Sequence, residues 1–314
     1  MRIGIVVDST CDLPIDFIHE HDITILPITV RIDEHAFVDH RDPVATLKFF
    51  HDKLGDRAHA ADTEPFSTDQ VHQLFLDELV TKFDAVFCLT ITASRSLIYE
   101  NTLGASYAIL KDYHSVRTAA GLSGPFLMRV IDTQTLFAGQ VPSAWEGVRL
   151  IGSNASPGQI RERLEQVAAN STGYFLPRDL YYLRARAQKR GDRSVGWITA
   201  TLGSALNIKP IVRAYRKNTQ PAGKVRGFEA GAEALFQHTI ERVKVGLMVP
   251  VVSLSYGGEL DDLRTLPGYQ SLCDVCAEHG VSVLESVMSM TAMVHVGAEG
   301  LAVGFACEPY DVSF

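Results

Sequence analysis

The chain has no long apolar run. Its most apolar stretch extends only from Val245 to Leu254 and carries Pro250, about half of the roughly 20 residues that a membrane-spanning helix needs. The N-terminal run Ile3–Val7 is cut by Asp8 and is too short for a secretory signal core, so a cytoplasmic protein without a membrane span is the expectation. Positive charge is the scarcer sign. The 29 Lys and Arg against 37 Asp and Glu leave a net charge of −8, which argues against a nucleic-acid partner, because affinity for a phosphate backbone comes from basic side chains. Cysteine is sparse and odd in number, five in all, so reduced thiols are expected rather than a disulfide framework. Cys273-x-x-Cys276 lacks the second ligand pair of a zinc site and lies inside a helical pattern, so both are read as core cysteines. A Walker loop, a G-x-G-x-x-G turn, a G-x-S-x-G elbow and an H-E-x-x-H pair are all missing, which leaves nucleotide hydrolysis, hydride transfer and zinc proteolysis without support. There is also no solenoid repeat, low-complexity tract or long linker.

What is present is a globular balance of 46% hydrophobic and 21% charged residues over 314 positions, long enough that two domains are expected. The first half alternates strand and helix patterns. Strands are predicted at 2–7, 23–31, 84–92 and 126–133, each followed by a predicted helix, the one after the third strand covering 96–111. Asp12 and Pro14 open one helix, Asp42-Pro43 another, Ser67 with Gln70 forms a capping box flanked by Phe66 and Val71, and Ser156-Pro157 with Gln159 begins a helix to about 170. Strand and helix in repetition argue a parallel sheet flanked by helices. The alternation loosens near 171–177, which sets the expected domains at 1–171 and 172–314. The second is read as mixed α/β, with helices at 178–189, 197–206, 229–243 and 260–279 and strands at 208–215, 247–255, 281–286, 291–296 and 301–307.

Ligands of open parallel sheets bind outside the carboxyl ends of the strands. Three predicted ends are polar: Asp8-Ser9-Thr10, Thr90 to Ser94, and Asp132-Thr133. Any one is readily a helix or turn cap, a role that Ser, Thr and Asp fill for about 1 kcal/mol. Three on one edge would line a crevice rich in hydroxyl and N–H groups and suited to a carboxylate or phosphate. Asp8 is a poor aspartyl-phosphate nucleophile, because Thr10 stands where a second acid is expected. In the second half Lys209 lies in an apolar run and must be paired or snorkel. His295 precedes Gly297, Gly300 and Gly304, where it is either a satisfied core histidine or a donor to an anion.

Taken in order, "VVDSTCDLP" (6–14), "VIDTQTLFAGQ" (130–140), "LNIKPI" (206–211), "KVRG" (224–227) and "HVGAEGLAVG" (295–304) resemble the DegV family of fatty-acid-binding proteins over nearly the whole chain. The resemblance implies a two-domain fold, one long-chain fatty acid buried in the first domain with its carboxylate at the domain junction, no cofactor, no metal, no catalysis by this polypeptide alone, and a fatty-acid kinase as partner. By residue, it implies head-group contacts from Arg226 and His295, with Arg193 in the segment similar to the family's Gly-Gly-Arg. The chain departs from the family pattern at two positions. Asp62 stands where the family's Thr-Ser-Gln-Pro loop has threonine, and Ala93 where a serine is usual. Thr63, Thr92 and Ser94 are each one residue away from the usual hydroxyls.

An ionised Asp62 beside a fatty carboxylate in a dry pocket would meet like-charge repulsion. It must be protonated, turn away toward Arg95, Arg193 or Arg226, or face a different ligand. Three functions therefore stay open: a lipid-binding and lipid-transport protein using Thr63, Thr92, Ser94, Arg226 and His295; a divergent member in which Asp62, Glu64 and His295 do acid–base work on another small anion; and a scaffold that only binds a partner.

Overall fold

Strand β1 (Ile3–Asp8) shows how the first half is organised. Ile5 and Val7 face one way, Val6 the other, and all three are buried, as alternation in a strand covered on both faces requires. The computed structural model describes residues 1–52, 54, 61–179, 207–312 and 314. Within them, β1 pairs in parallel with β2 (Thr24–Leu26) and β6 (Ala85–Thr90), and β6 with β7 (Leu127–Asp132), giving a four-stranded parallel sheet of order β2-β1-β6-β7.

Helices cover both faces. On one, Ile5, Val7, Phe87 and Leu89 pack with α1 (Ile15–Glu20), α6 (Val141–Gly152) and α7 (Pro157–Asn170). On the other, Val6, Val86 and Cys88 pack with α3 (Thr68–Leu74), which continues into a π turn at Phe75–Leu79, and with α4 (Ile98–Ala108). The expected capping boxes are both formed, Ser67 with Gln70 and Ser156 with Gln159. Helix α2 (Pro43–His51) starts at Asp42, whose carboxylate accepts from the Val44 amide at 2.9 Å.

A six-stranded mixed sheet follows, of order β10-β9-β8-β13-β11-β12. Its strands are β8 (Ser171–Leu176), β9 (Ile208–Tyr215), β10 (Asn218–Arg226), β11 (Val251–Tyr256), β12 (Ser282–Val287) and β13 (Leu301–Ala306). Helices α8 (Phe228–Val245), α9 (Leu260–Arg264) and α10 (Tyr269–Glu278) accompany it. One face, with Tyr174, Leu254 and Val303, packs on α8 and α10, where Cys276 is core. The opposite face gives Phe175, Val212, Ala214 and Ala302 to the same apolar cluster as Val6 and Val86. Close backbone approach cements this junction: a Cβ on Gly304 would overlap the carbonyl of Ala138.

Several expectations need correction. The run 23–31 is two strands, because Pro27 breaks it: β2 stays in the parallel sheet, while β3 (Ile28–Ile32) forms a separate antiparallel sheet with β4 (His35–Asp39) and β5 (Asp62–Pro65). The helix expected at 96–111 ends at Ala108, passes through a 3-10 turn and gives way to α5 (Tyr113–Ala119). The helix at 260–279 is divided, with left-handed Gly268 capping the start of α10. Residues 291–296 are not a strand but helix α11 (Met290–Val296), capped by Ser289 Oγ accepting from the Ala292 amide at 3.0 Å. Pro14 rather than Asp12 caps α1, without a side-chain bond. The helices expected at 178–189 and 197–206 lie outside the described residues.

Candidate functional site

The polar ends of β1, β6 and β7 are mostly occupied in building their own turns. Asp8 is fully buried, and its Oδ1 accepts from the Thr10 amide at 2.9 Å and the Thr10 hydroxyl, its Oδ2 from the Ile91 amide. Gln140 Nε2 donates to Thr10 Oγ1 at 2.7 Å. Burial pushes the Asp8 carboxyl up to about 6, against the pull of those hydrogen bonds. Ser9 Oγ accepts from the Ile28 amide at 3.2 Å, Thr133 Oγ1 donates to the Thr90 carbonyl at 2.8 Å, and Asp132 holds the Gln134 amide at 2.8 Å and Lys217 at 3.2 Å. These groups therefore shape the edge of the sheet, as caps do. Thr92 is buried, with its hydroxyl 3.3 Å from that of Ser94, and exposed Ser94 donates to the Lys217 carbonyl at 2.6 Å.

A buried hub lies beside this edge. Asp12 Oδ1 accepts from Arg41 Nη1 at 3.3 Å and from the Ser289 amide at 3.0 Å, and Oδ2 from the Ser255 hydroxyl. Arg41 also donates to the carbonyls of Leu13 (2.8 Å) and Val287 (3.1 Å). Asp39 accepts from the Arg41 amide and from the amide and hydroxyl of Thr291, the last two at 2.8 Å. Asp12 and Asp39 thus hold the start of α11, with carboxylates at a helix N-terminus where the backbone dipole favours them, and Arg41 ties the same hub to the end of β12. Desolvation raises the Asp12 pKa, and Arg41 opposes it.

Helix α11 carries His295. All its other residues are buried and His295 alone is half-buried, so the imidazole sits at the margin of the apolar cluster. The helix packs on β3, and β3 pairs with β5 in the register Val30↔Thr63 and Arg31↔Asp62. Paired residues share a face, so Thr63 goes with buried Val30 toward the cluster, whereas Asp62 and Glu64 are exposed and Glu64 pairs with Arg31 at 2.7 Å. Asp62 thus stands on the exposed side of β5. Ala93 is half-buried between Thr92 and Ser94.

Thr63 is paired across the ladder with Val30 of this cluster, and Thr92 and His295 directly follow its members Ile91 and Val294 in the chain. Arg226 does not join Ser94 at one point. It is exposed at the far end of β10 from Lys217, to whose carbonyl Ser94 donates, and nine residues of strand span about 30 Å. Lys209, singled out as a charge in an apolar run, donates to the Arg178 carbonyl at 2.6 Å. Arg193 lies outside the described residues. Among the described residues no cluster of His, Cys, Asp and Glu could hold a metal ion, and no helix is long and apolar enough to cross a membrane.

The family model described as an uncharacterised protein of the DegV family matches residues 2–308. The chain belongs to the DegV family. It is 56% identical over 313 residues to a DegV domain-containing protein of Xanthomonas axonopodis pv. citri, with 100% of each chain covered. Its fold is that of solved DegV structures. A stearic acid-binding protein from Eubacterium ventriosum superposes with a TM-score of 0.76 at 22% identity over 98% of both chains. The fatty acid kinase B3 protein of Streptococcus pneumoniae, loaded with linoleic acid, gives 0.71 at 18% identity over 98% of this chain and 100% of that one. The hub of Asp12, Asp39 and Arg41 was not foreseen. Its signal in the sequence is the charged run Asp39-His40-Arg41-Asp42 before a helix, which reads as solvated surface until the partner helix is known.

Proposed function

We propose that this DegV protein binds a long-chain fatty acid. Its acyl tail lies in the apolar cluster between the parallel sheet, α3, α4 and α11, and its carboxylate meets Thr63, Thr92 and His295. The observation that carries the reading is that Thr63 pairs with Val30 of this cluster on the buried side of β5, while Asp62 is exposed; Thr92 and His295 follow cluster members Ile91 and Val294 in the chain. Burial of the tail is driven by about 25 cal/mol per Å² of apolar surface withdrawn from water, and a half-buried imidazole and two hydroxyls supply donors for the anion. Arg226 is left out of the head-group set because of its distance from Ser94 along β10.

The units are residues 1–171 and 172–314, with the carboxylate at their junction. The protein works in the cytoplasm without a cofactor, and it presents its ligand to a fatty-acid kinase, a role supported by its likeness to the streptococcal B3 protein. An acid–base triad of Asp62, Glu64 and His295 is disfavoured by the exposed Arg31–Glu64 pair. Mass spectrometry of an organic extract of the purified protein tests the binding. A stoichiometric fatty acid is expected, and absence of any bound lipid together with no thermal shift on adding palmitate or oleate refutes it.

A further inference from the structure

The face of the six-stranded sheet turned away from the acyl cluster holds a group of cations that nothing in the fatty-acid reading uses. Arg213, on β9, is 93% buried, since only 7% of its surface is exposed. It is enclosed by three tyrosine rings: its guanidinium carbon lies 4.2 Å from the ring centre of Tyr215, 5.1 Å from that of Tyr310 and 6.0 Å from that of Tyr174. Arg242 approaches the same Tyr310 ring at 4.6 Å, and exposed Arg216 lies 5.1 Å from the Tyr215 ring. Helical spacing puts His238 one turn before Arg242, and its Nε2 is 3.0 Å from Tyr310 Oη, which is 2.7 Å from Tyr174 Oη.

Two features of this cluster ask for a ligand. Neither the Arg213 nor the Arg242 side chain forms an ion pair or hydrogen bond among the described residues. Arg213 Nε, Arg242 Nε and Tyr215 Oη are all buried polar atoms without a partner. A buried charge is ordinarily paired, and tyrosine faces compensate a guanidinium only in part. The nearby carboxylates of Glu241 and Glu308 act on His238 and Cys307 from a distance, without closing an ion pair. The positive field is felt locally: burial first, then Arg242, pushes the His238 imidazole down to about 4.

We propose that Arg213, Arg242 and Tyr215 form a binding site for a phosphate-bearing ligand, on the opposite face of the sheet from the acyl cluster. Two guanidinium forks on one tyrosine ring offer more N–H groups than a carboxylate can accept, and their charge matches a dianion, so a phosphate monoester suits the site better than a carboxylate. Arg242 and Tyr310 are only half-buried, which leaves an approach from solvent. The proposal does not rest on fatty-acid binding.

Calorimetric titration with inorganic phosphate and with glycerol 3-phosphate tests the site in solution. Flotation with phosphatidylcholine vesicles containing phosphatidic acid tests a lipid source of the same group. Wild type is expected to bind at least one of these probes, and Arg242→Gln to weaken that binding about tenfold or more, the equivalent of about 1.4 kcal/mol, while its co-purifying lipid stays unchanged. Tyr215→Phe should weaken it to a smaller extent. Phosphate should also raise the pKa of His238 followed by NMR, because the dianion offsets the arginine field. Binding in solution marks a soluble ester as the source, and binding only to the vesicles marks a headgroup. No binding to any probe, or equal binding by wild type and Arg242→Gln, overturns the proposal.

Discussion

Asp12 and Arg41 form an ion pair at 3.3 Å in which neither side chain is more than 4% exposed. Because Asp12 also takes the Ser289 amide and the Ser255 hydroxyl, and Arg41 the Val287 carbonyl, the pair fastens the first residues of the chain to α11 and to β11 and β12. Removing one partner of a buried pair strands the other, at about 3–5 kcal/mol. Arg41→Met is therefore expected to lower stability by that amount in urea unfolding, and to speed amide exchange at Ser289 and Ala292. Adding Asp12→Asn should restore part of the loss, since no unpaired charge then remains. If the double variant is as unstable as the sum of the singles, the two residues act independently and the hub is misread.

Asp8 and His238 pull stability in opposite directions with pH. The Asp8 carboxyl is held near 6 against an ordinary 3.8, so the folded state keeps a proton that the unfolded chain loses between about pH 4 and 6. Stability falls as pH rises through that window, by about 3 kcal/mol. Asp12, also raised, acts in the same sense. His238, held near 4 against 6.5, is neutral in the folded state where the unfolded chain is charged, so its contribution is present above 6.5 and lost as pH falls toward 4. In wild type the His238 contribution therefore offsets part of the fall between pH 4 and 6. His238→Gln should lose stability more steeply than wild type as pH rises across that interval, and Asp8→Asn less steeply. Urea midpoints at intervals of one pH unit check this, and equal slopes for the two variants would contradict it.

Gly304 and Gly280 separate a packing requirement from a conformational one. A Cβ on Gly304 would overlap the main chain of Ala138, which cannot yield as a side-chain end would. Gly280 has φ +65° and open space around it. Gly280→Ala is expected to cost about 1 kcal/mol, through backbone strain alone. Gly304→Ala should cost upward of about 4 kcal/mol or prevent soluble expression, the range reached only by a few named mechanisms. Thermal unfolding of both variants decides between them.

The sequence made the parallel sheet legible because buried strands such as Ala85–Thr90 are continuous apolar runs and the helices beside them begin with capping boxes. It hid β5 and β10, whose sequences DTEP and NTQPAGKVR are polar. Their strand geometry comes from pairing with β3 and β9, and Pro221 is tolerated because β10 is an edge strand. Helix α11 was hidden for the opposite reason: six of its seven residues are buried, and a fully buried short run has no periodicity to separate helix from strand. The candidate site was legible as residue types but not as directions. The sense in which Thr63 and Asp62 point depends on the register with β3, and Arg226 reads as a neighbour of the other polar groups until the length of β10 is laid out.

That register leads to the sharpest expectation about the head group. Asp62 and Thr63 are adjacent, and the two faces of β5 give them opposite surroundings: Thr63 beside Val30 at the apolar cluster, Asp62 beside Arg31 in solvent. If Thr63 donates to the fatty carboxylate, its loss removes a hydrogen bond to a charged group, about 1.5–3 kcal/mol, so Thr63→Val should weaken fatty-acid binding roughly tenfold or more. Asp62→Asn, changing an exposed charge that is screened by water and salt, should shift affinity by less than about twofold. His295→Gln tests the other side of the rim: it should weaken binding by altering a hydrogen-bonding group beside the carboxylate. Competition against a fluorescent fatty acid measures all three variants. A large effect of Asp62→Asn with none from Thr63→Val would mean that the head group approaches from the solvent face of β5, and the carboxylate site would have to be rebuilt around Arg31 and Asp62 instead.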